Sequence, residues 1–163
     1  MTQVTYIVGA SVWEQELYDY VRTHGAREGA MLAEYQRIAE DESTSPAFRY
    51  LAEMILDDEH RHHALFDDLA ETIRQTAEFR DENLPIPGLA GLRRDRDRIA
   101  DITERLLKSE REDSRTLDGL RKKLKDVRDT TLWDLLIEIM QHDTEKHIKI
   151  LRFVRDHAET AVF

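Results

Sequence analysis

Residues 48–69 read FRYLAEMILDDEHRHHALFDDL, and residues 133–154 read WDLLIEIMQHDTEKHIKILRFV. The second stretch lies 85 residues after the first and matches it without a gap. Phe48, Leu51, Ile55, Leu65, Phe66 and Leu69 fall on Trp133, Leu136, Met140, Ile150, Leu151 and Val154. Asp58 and His62 fall on Asp143 and His147. The apolar spacing is that of one helix face, so each stretch is expected to be an amphipathic helix with this stripe buried. The same shift carries Ser45 to Thr130, an expected N-cap in each half, and Pro46 suits a first helical position. A single register that fits a cap, an apolar stripe and two polar positions predicts an internal duplication.

Working outward, a first helix is expected over about residues 12–42, with Leu17, Val21, Met31, Leu32, Tyr35 and Ile38 at helical spacing. The second helix runs from Pro46 to about residue 79. Residues 81–91, which include Pro-Ile-Pro-Gly, form the one substantial break. A third helix is expected over about residues 96–127 and a fourth over about 131–157. The prediction is an all-α chain, a single domain over residues 1–163. It comprises a helical hairpin at 12–80, a crossover at 81–95 and a second hairpin at 96–158. Two hairpins joined by one long connection give a four-helix bundle with a single crossover.

Composition narrows the function classes. With 40% hydrophobic and 36% charged residues, 6 Gly and 3 Pro, the chain suits long amphipathic helices. The absence of cysteine excludes disulfides, thiolate metal sites, a cysteine nucleophile and a rubredoxin-type iron centre. A metal would be held by carboxylates and imidazoles, which favours hard or borderline ions. The net charge of −10 argues against nucleic acid, and the basic run at Arg93, Arg94, Arg96 and Arg98 is broken by Asp95 and Asp97. No apolar run is long enough for a membrane span. Residues 4–13 lack a basic n-region and a cleavage site, so a cytoplasmic location is expected.

The informative residues are polar ones set inside apolar stripes. His24 and Glu28 lie between Val21 and Met31. Asp58, Glu59, His62 and His63 interrupt the second helix at its middle. Ser109, Glu110 and Asp113 lie between Leu106 and Leu117, and Asp143, Thr144 and His147 lie between Met140 and Leu151. A carboxylate buried there must be paired, protonated or bound to a cation. Glu59 and His62, three apart, occupy adjacent turns of one face.

These residues resemble the ferritin-like di-iron carboxylate proteins, whose bundles carry a Glu on each of two helices and a Glu-x-x-His on each of the other two. Glu59-His60-Arg61-His62 has the form of that motif. Glu28 to Tyr35, Glu-Gly-Ala-Met-Leu-Ala-Glu-Tyr, and Asp57 to His62 look like the first- and second-helix patterns of rubrerythrin-type members. The resemblance implies metal ligands at Glu28, Glu59, His62, Asp113 and His147. Asp113 stands 85 after Glu28, and His147 stands 85 after His62. It also implies two iron ions, or one, with manganese or zinc as alternatives, and reaction of Fe(II) with O2 or peroxide fed by a separate electron donor. One departure is plain: Glu59 falls on Thr144, which cannot bridge metals. Asp143 and Glu110 are candidates to compensate. Asp58 and Asp143, four residues before the histidines, are candidates to orient them, and Tyr35 to donate to a ligand.

Three function classes follow. The first is a di-iron oxidoreductase. The second is a metal-free or single-metal scaffold with a degenerate site. The third is iron storage, weaker as a self-assembled cage because no helix follows the fourth. A homodimer is compatible with exposed apolar edges.

Overall fold

The computed structural model describes residues 5–80 and 83–159, without the side chains of residues 25–28. The described residues are helical, with no strand among them. The α-helices are α1 (Val12–Glu40), α2 (Pro46–Ala77), the short α3 (Ala90–Arg94), α4 (Arg96–Lys123) and α5 (Trp133–Glu159). Two compact units divide between Pro87 and Gly88, inside the expected crossover. In the first unit α1 packs on α2; in the second α4 packs on α5, with α3 against both.

Local chemistry sets the helix ends. Ser11 and Glu14 form a capping box at α1: the Glu14 amide donates to Ser11 Oγ, and the Ser11 amide donates to Glu14 Oε2 at 2.7 Å. Pro46 opens α2 as its first residue, but the Ser45 hydroxyl makes no capping bond. The Thr130 hydroxyl does not cap either, since it donates to the Val127 carbonyl. Thr131 Oγ1 instead accepts from the Trp133 amide at 3.4 Å, and α5 starts two residues later than the shift from Pro46 predicts. Proline pre-sets the helical φ at position 46, and no residue does so in the second unit. The expected third helix ends at Lys123. There the Leu124 amide is shared between the Leu120 and Arg121 carbonyls, and a single 3-10 turn, Lys125–Val127, follows.

The first unit is closed at one end by the segment before α1. Ile7 is buried against Ile73 and Ala77, with Leu17, Tyr18 and Leu69 packed around them. Its amide donates to Gln15 Oε1, and Gln15 Nε2 donates back to the Thr5 carbonyl, each at 2.9 Å. Gly9 makes the turn at φ +87°, where an added Cβ would stand 2.7 Å from the Ala77 carbonyl oxygen. The rest of the seam is Val21 on α1 and Ala52, Leu56 and Ala70 on α2. Small residues at Ala52, Ala70 and Ala77 suit close approach of the two helices.

The second unit is centred on Leu107, which is 0% exposed, with Leu117, Ile137 and Ala158. Its buried polar residues are Thr103, Asp134 and Thr144. Each threonine hydroxyl donates to a carbonyl one turn back in its own helix. Asp134 is held by Arg121 at 3.3 Å and by Arg128 at 3.8 Å. Arg121 also reaches Glu138 at 2.9 Å, which ties α4 to the first turns of α5.

Positions 85 apart are buried in both units at Ala52 and Ile137, and again at Ile73 and Ala158, with the large and small residues exchanged. The repeated stripe behaves differently. Phe48, Ile55 and Leu65 are 51, 39 and 54% exposed, and Trp133, Met140 and Ile150 are 57, 44 and 54% exposed. Their burial was expected. A two-helix hairpin has one seam, and these residues lie beside it.

Candidate metal centre

The two repeated histidines each stand beside a carboxylate, by different routes. In the first unit His62 Nδ1 lies 3.9 Å from Glu59 Oε1, three residues back on the same helix. In the second unit His147 Nδ1 lies 3.4 Å from Glu110 Oε1, across the seam on α4. Both carboxylates are largely enclosed, Glu59 18% and Glu110 26% exposed, whereas His62 and His147 are 49 and 50% exposed. An imidazole edge facing solvent beside a sheltered carboxylate is an arrangement that an incoming cation can reach.

Two clefts adjoin these pairs. One of about 410 Å³ is lined by His24, His62, Leu65, Phe66 and Leu69. The His24 ring meets Phe66 edge-on at 4.8 Å and stacks parallel to Tyr20 at 6.3 Å, so its first role is aromatic packing. The other cleft, of about 310 Å³, is lined by Ser109, Glu110, Glu112, Asp113 and Thr116. It brings Glu110 and Asp113 to one face of α4, with Asp113 exposed.

The remaining predicted residues separate into three groups. Glu28 belongs to α1, and its side chain lies outside the described residues. Asp58 and Asp143 stand beside basic residues of their own helices. Asp58 pairs with Arg61 at 2.7 Å, and Asp143 pairs with Lys146. Tyr35 is half-buried on α1. Thr144, the departure from the motif, is 4% exposed and donates to the Met140 carbonyl at 3.1 Å, so its hydroxyl is committed to the helix. Among the described residues no group of three or more His, Asp or Glu stands close enough to hold a metal ion. What the described side chains form are pairs.

The polar clamp of Arg121, Asp134, Glu138 and Gln141 was missed from sequence. Arg121 on α4 stands 13 to 20 residues before its three partners on α5, so no local spacing links it to them. Asp134 inside the apolar run at the start of α5 was the one visible sign. The Arg74 network on α2 is local by contrast. Arg74 binds Glu71 at 2.5 Å and Glu78 at 2.9 Å. Hydrogen bonds from Arg74 and then Gln75 hold the Glu71 carboxyl down to about 2.

No helix among the described residues is long and apolar enough to cross a membrane. Compared with known proteins, the chain matches no family model, no curated sequence and no solved structure.

Proposed function

We propose that this chain is a ferritin-like metal-binding protein, in which two related hairpins pair as a four-helix bundle around carboxylate and imidazole ligands. The ligand set is Glu28, Glu59 and His62 from the first hairpin and Asp113 and His147 from the second. The observation that carries the reading is the repeated imidazole: His62 and His147 hold the same register position, and each faces solvent beside a sheltered carboxylate, Glu59 in one hairpin and Glu110 in the other. The uncovered stripe of Phe48, Ile55 and Leu65, with its counterpart Trp133, Met140 and Ile150, supports pairing of amphipathic helices into a bundle.

In this reading the chain binds Fe(II) or Mn(II). Carboxylates favour the oxidised metal and imidazoles anchor it, which is the ligand chemistry for reaction with O2 or peroxide. The donor of electrons is a separate protein or small molecule. The residues themselves do two things: Glu59 and Glu28 supply negative charge, and His62 and His147 supply neutral nitrogen donors. The test is metal uptake by the purified full-length chain, followed by oxygen consumption on adding Fe(II). Uptake abolished by Glu59→Ala and by His62→Ala is the expected result. No uptake of Fe(II) or Mn(II) by the unaltered chain would end the proposal.

One observation favours a second reading, a metal-free helical scaffold. Thr144 is buried and satisfied by its own helix, so the second hairpin is well packed without a ligand there. That reading expects Glu59→Ala to leave stability unchanged or raise it, because it removes a sheltered charge.

A further inference from the structure

Among the described residues, the large apolar side chains with the greatest exposure gather at one end of the first hairpin. Phe79, Val8, Tyr6, Val12 and Trp13 are 68 to 88% exposed, against 57% or less for the repeated stripe. They share that end because Ile7 packs on Ile73 and Ala77, and Gly9 lies against the Ala77 carbonyl. With Ile7 buried, its neighbours Tyr6 and Val8 are left exposed; Val12 and Trp13 open α1, and Phe79 follows the end of α2. Tyr20, also well exposed, continues the Trp13 face of α1 two turns on.

Phe79 carries a second cost. α2 ends in a Schellman motif: the Arg80 amide donates to the Gln75 carbonyl at 2.9 Å, and the Phe79 amide to the Thr76 carbonyl at 3.1 Å. The motif places position 79 in the left-handed region, and Phe79 has φ 55°. Glycine is the usual occupant, because a side chain there crowds its own backbone. Neither the backbone nor packing within the chain favours an exposed phenylalanine at this position. A strained residue with no return inside its own fold points to a contact outside it.

Charge and area decide what that contact is. Residues 1–87 hold 18 Asp and Glu against 7 Lys and Arg, so this hairpin as a whole repels a second copy and any anionic surface. Beside the patch the carboxylates are engaged: Glu78 is held by Arg74 at 2.9 Å and by Arg80 at 3.4 Å, and Glu14 serves the Ser11 cap. Glu16 is exposed on α1. At their present exposure Tyr6, Trp13 and Phe79 offer roughly 350–600 Å² of apolar surface, to which Val8 and Val12 add. A standard interface takes about 800 Å² from each partner. An apolar patch is complementary to itself, which suits a twofold contact between identical chains.

We infer that the patch of Tyr6, Val8, Val12, Trp13 and Phe79 is the contact face of a homodimer, in which two copies meet end to end through their first hairpins. This inference is independent of the metal-binding reading.

The test is sedimentation equilibrium of the full-length chain over a range of concentrations. A monomer–dimer equilibrium is expected. Phe79→Gly should weaken it at least about tenfold, and Trp13→Ser should do the same. Phe79→Gly should also raise the melting temperature of the monomer by roughly 2–4 °C, because glycine relieves the left-handed position, so lost association is not lost folding. Phe153→Ser, on the second hairpin, should leave association unchanged. Added NaCl should tighten the dimer by screening the charge of −10 on each copy. A chain that stays monomeric at every concentration would overturn the inference, as would a dimer unaffected by both Phe79→Gly and Trp13→Ser, or one that salt dissociates. Binding of a monomeric chain to phosphatidylcholine vesicles, lost in the same two variants, would assign the patch to a lipid surface and overturn it too.

Discussion

A carboxylate with little exposure is the most informative side chain in a helical protein of this charge. Glu59 and Glu110 are sheltered while the imidazoles beside them face solvent. Substituting Glu59 by Gln keeps shape and removes charge, so metal uptake should fall while circular dichroism stays the same. Glu71 answers a different question. Its carboxyl is held down to about 2 from 4.5 by hydrogen bonds from Arg74 and Gln75. A lowered folded-state value means that this stabilisation is fully present above about pH 4.5 and is lost as pH falls toward 2. Glu71 is more than a third exposed, so screening limits the pair. Glu71→Gln is expected to lower the neutral-pH melting temperature by roughly 1–2 °C and to flatten the acid limb between those values. Melting curves across pH check both. The Glu-x-x-His spacing at Glu59 and His62 was legible in sequence because it lies within one helix. The Glu110 contact to His147 was not, because it depends on which turns of two helices face each other.

Helices follow their own short-range signals more faithfully than the repeat does. Ser11 and Glu14 cap α1, Pro46 opens α2, and the expected four long helices are present with shifts of a few residues at their ends. The repeat is weaker at the caps: Ser45 and Thr130 share a register position, and neither hydroxyl caps a helix. The stripe of Phe48, Ile55 and Leu65 was expected to be buried by periodicity, but periodicity locates an apolar face without naming the seam that covers it. The seam is instead marked by small residues and by Leu56, Ile73, Leu107 and Ile137. Leu107→Ala should destabilise the chain by about 2–5 kcal/mol in chemical denaturation, since it empties a fully enclosed site. Gly9→Ala should lower stability by about 1–3 kcal/mol in the same measurement. Its positive φ disfavours a side chain, and the new Cβ would crowd the Ala77 carbonyl.

At the scale of the whole molecule, all-α architecture was legible from composition and periodicity, since few glycines and prolines interrupt the chain. A single domain was expected from sequence; the described residues form two compact units that divide between Pro87 and Gly88, within the Pro-Ile-Pro-Gly stretch. The decisive measurement is anomalous scattering from crystals of the full-length chain grown with Fe(II) or Mn(II). Metal bonded to Glu59 and His62, with a second peak at or near His147, is the predicted result. Crystals that contain the metal in solution and show no anomalous peak at either histidine would contradict the account.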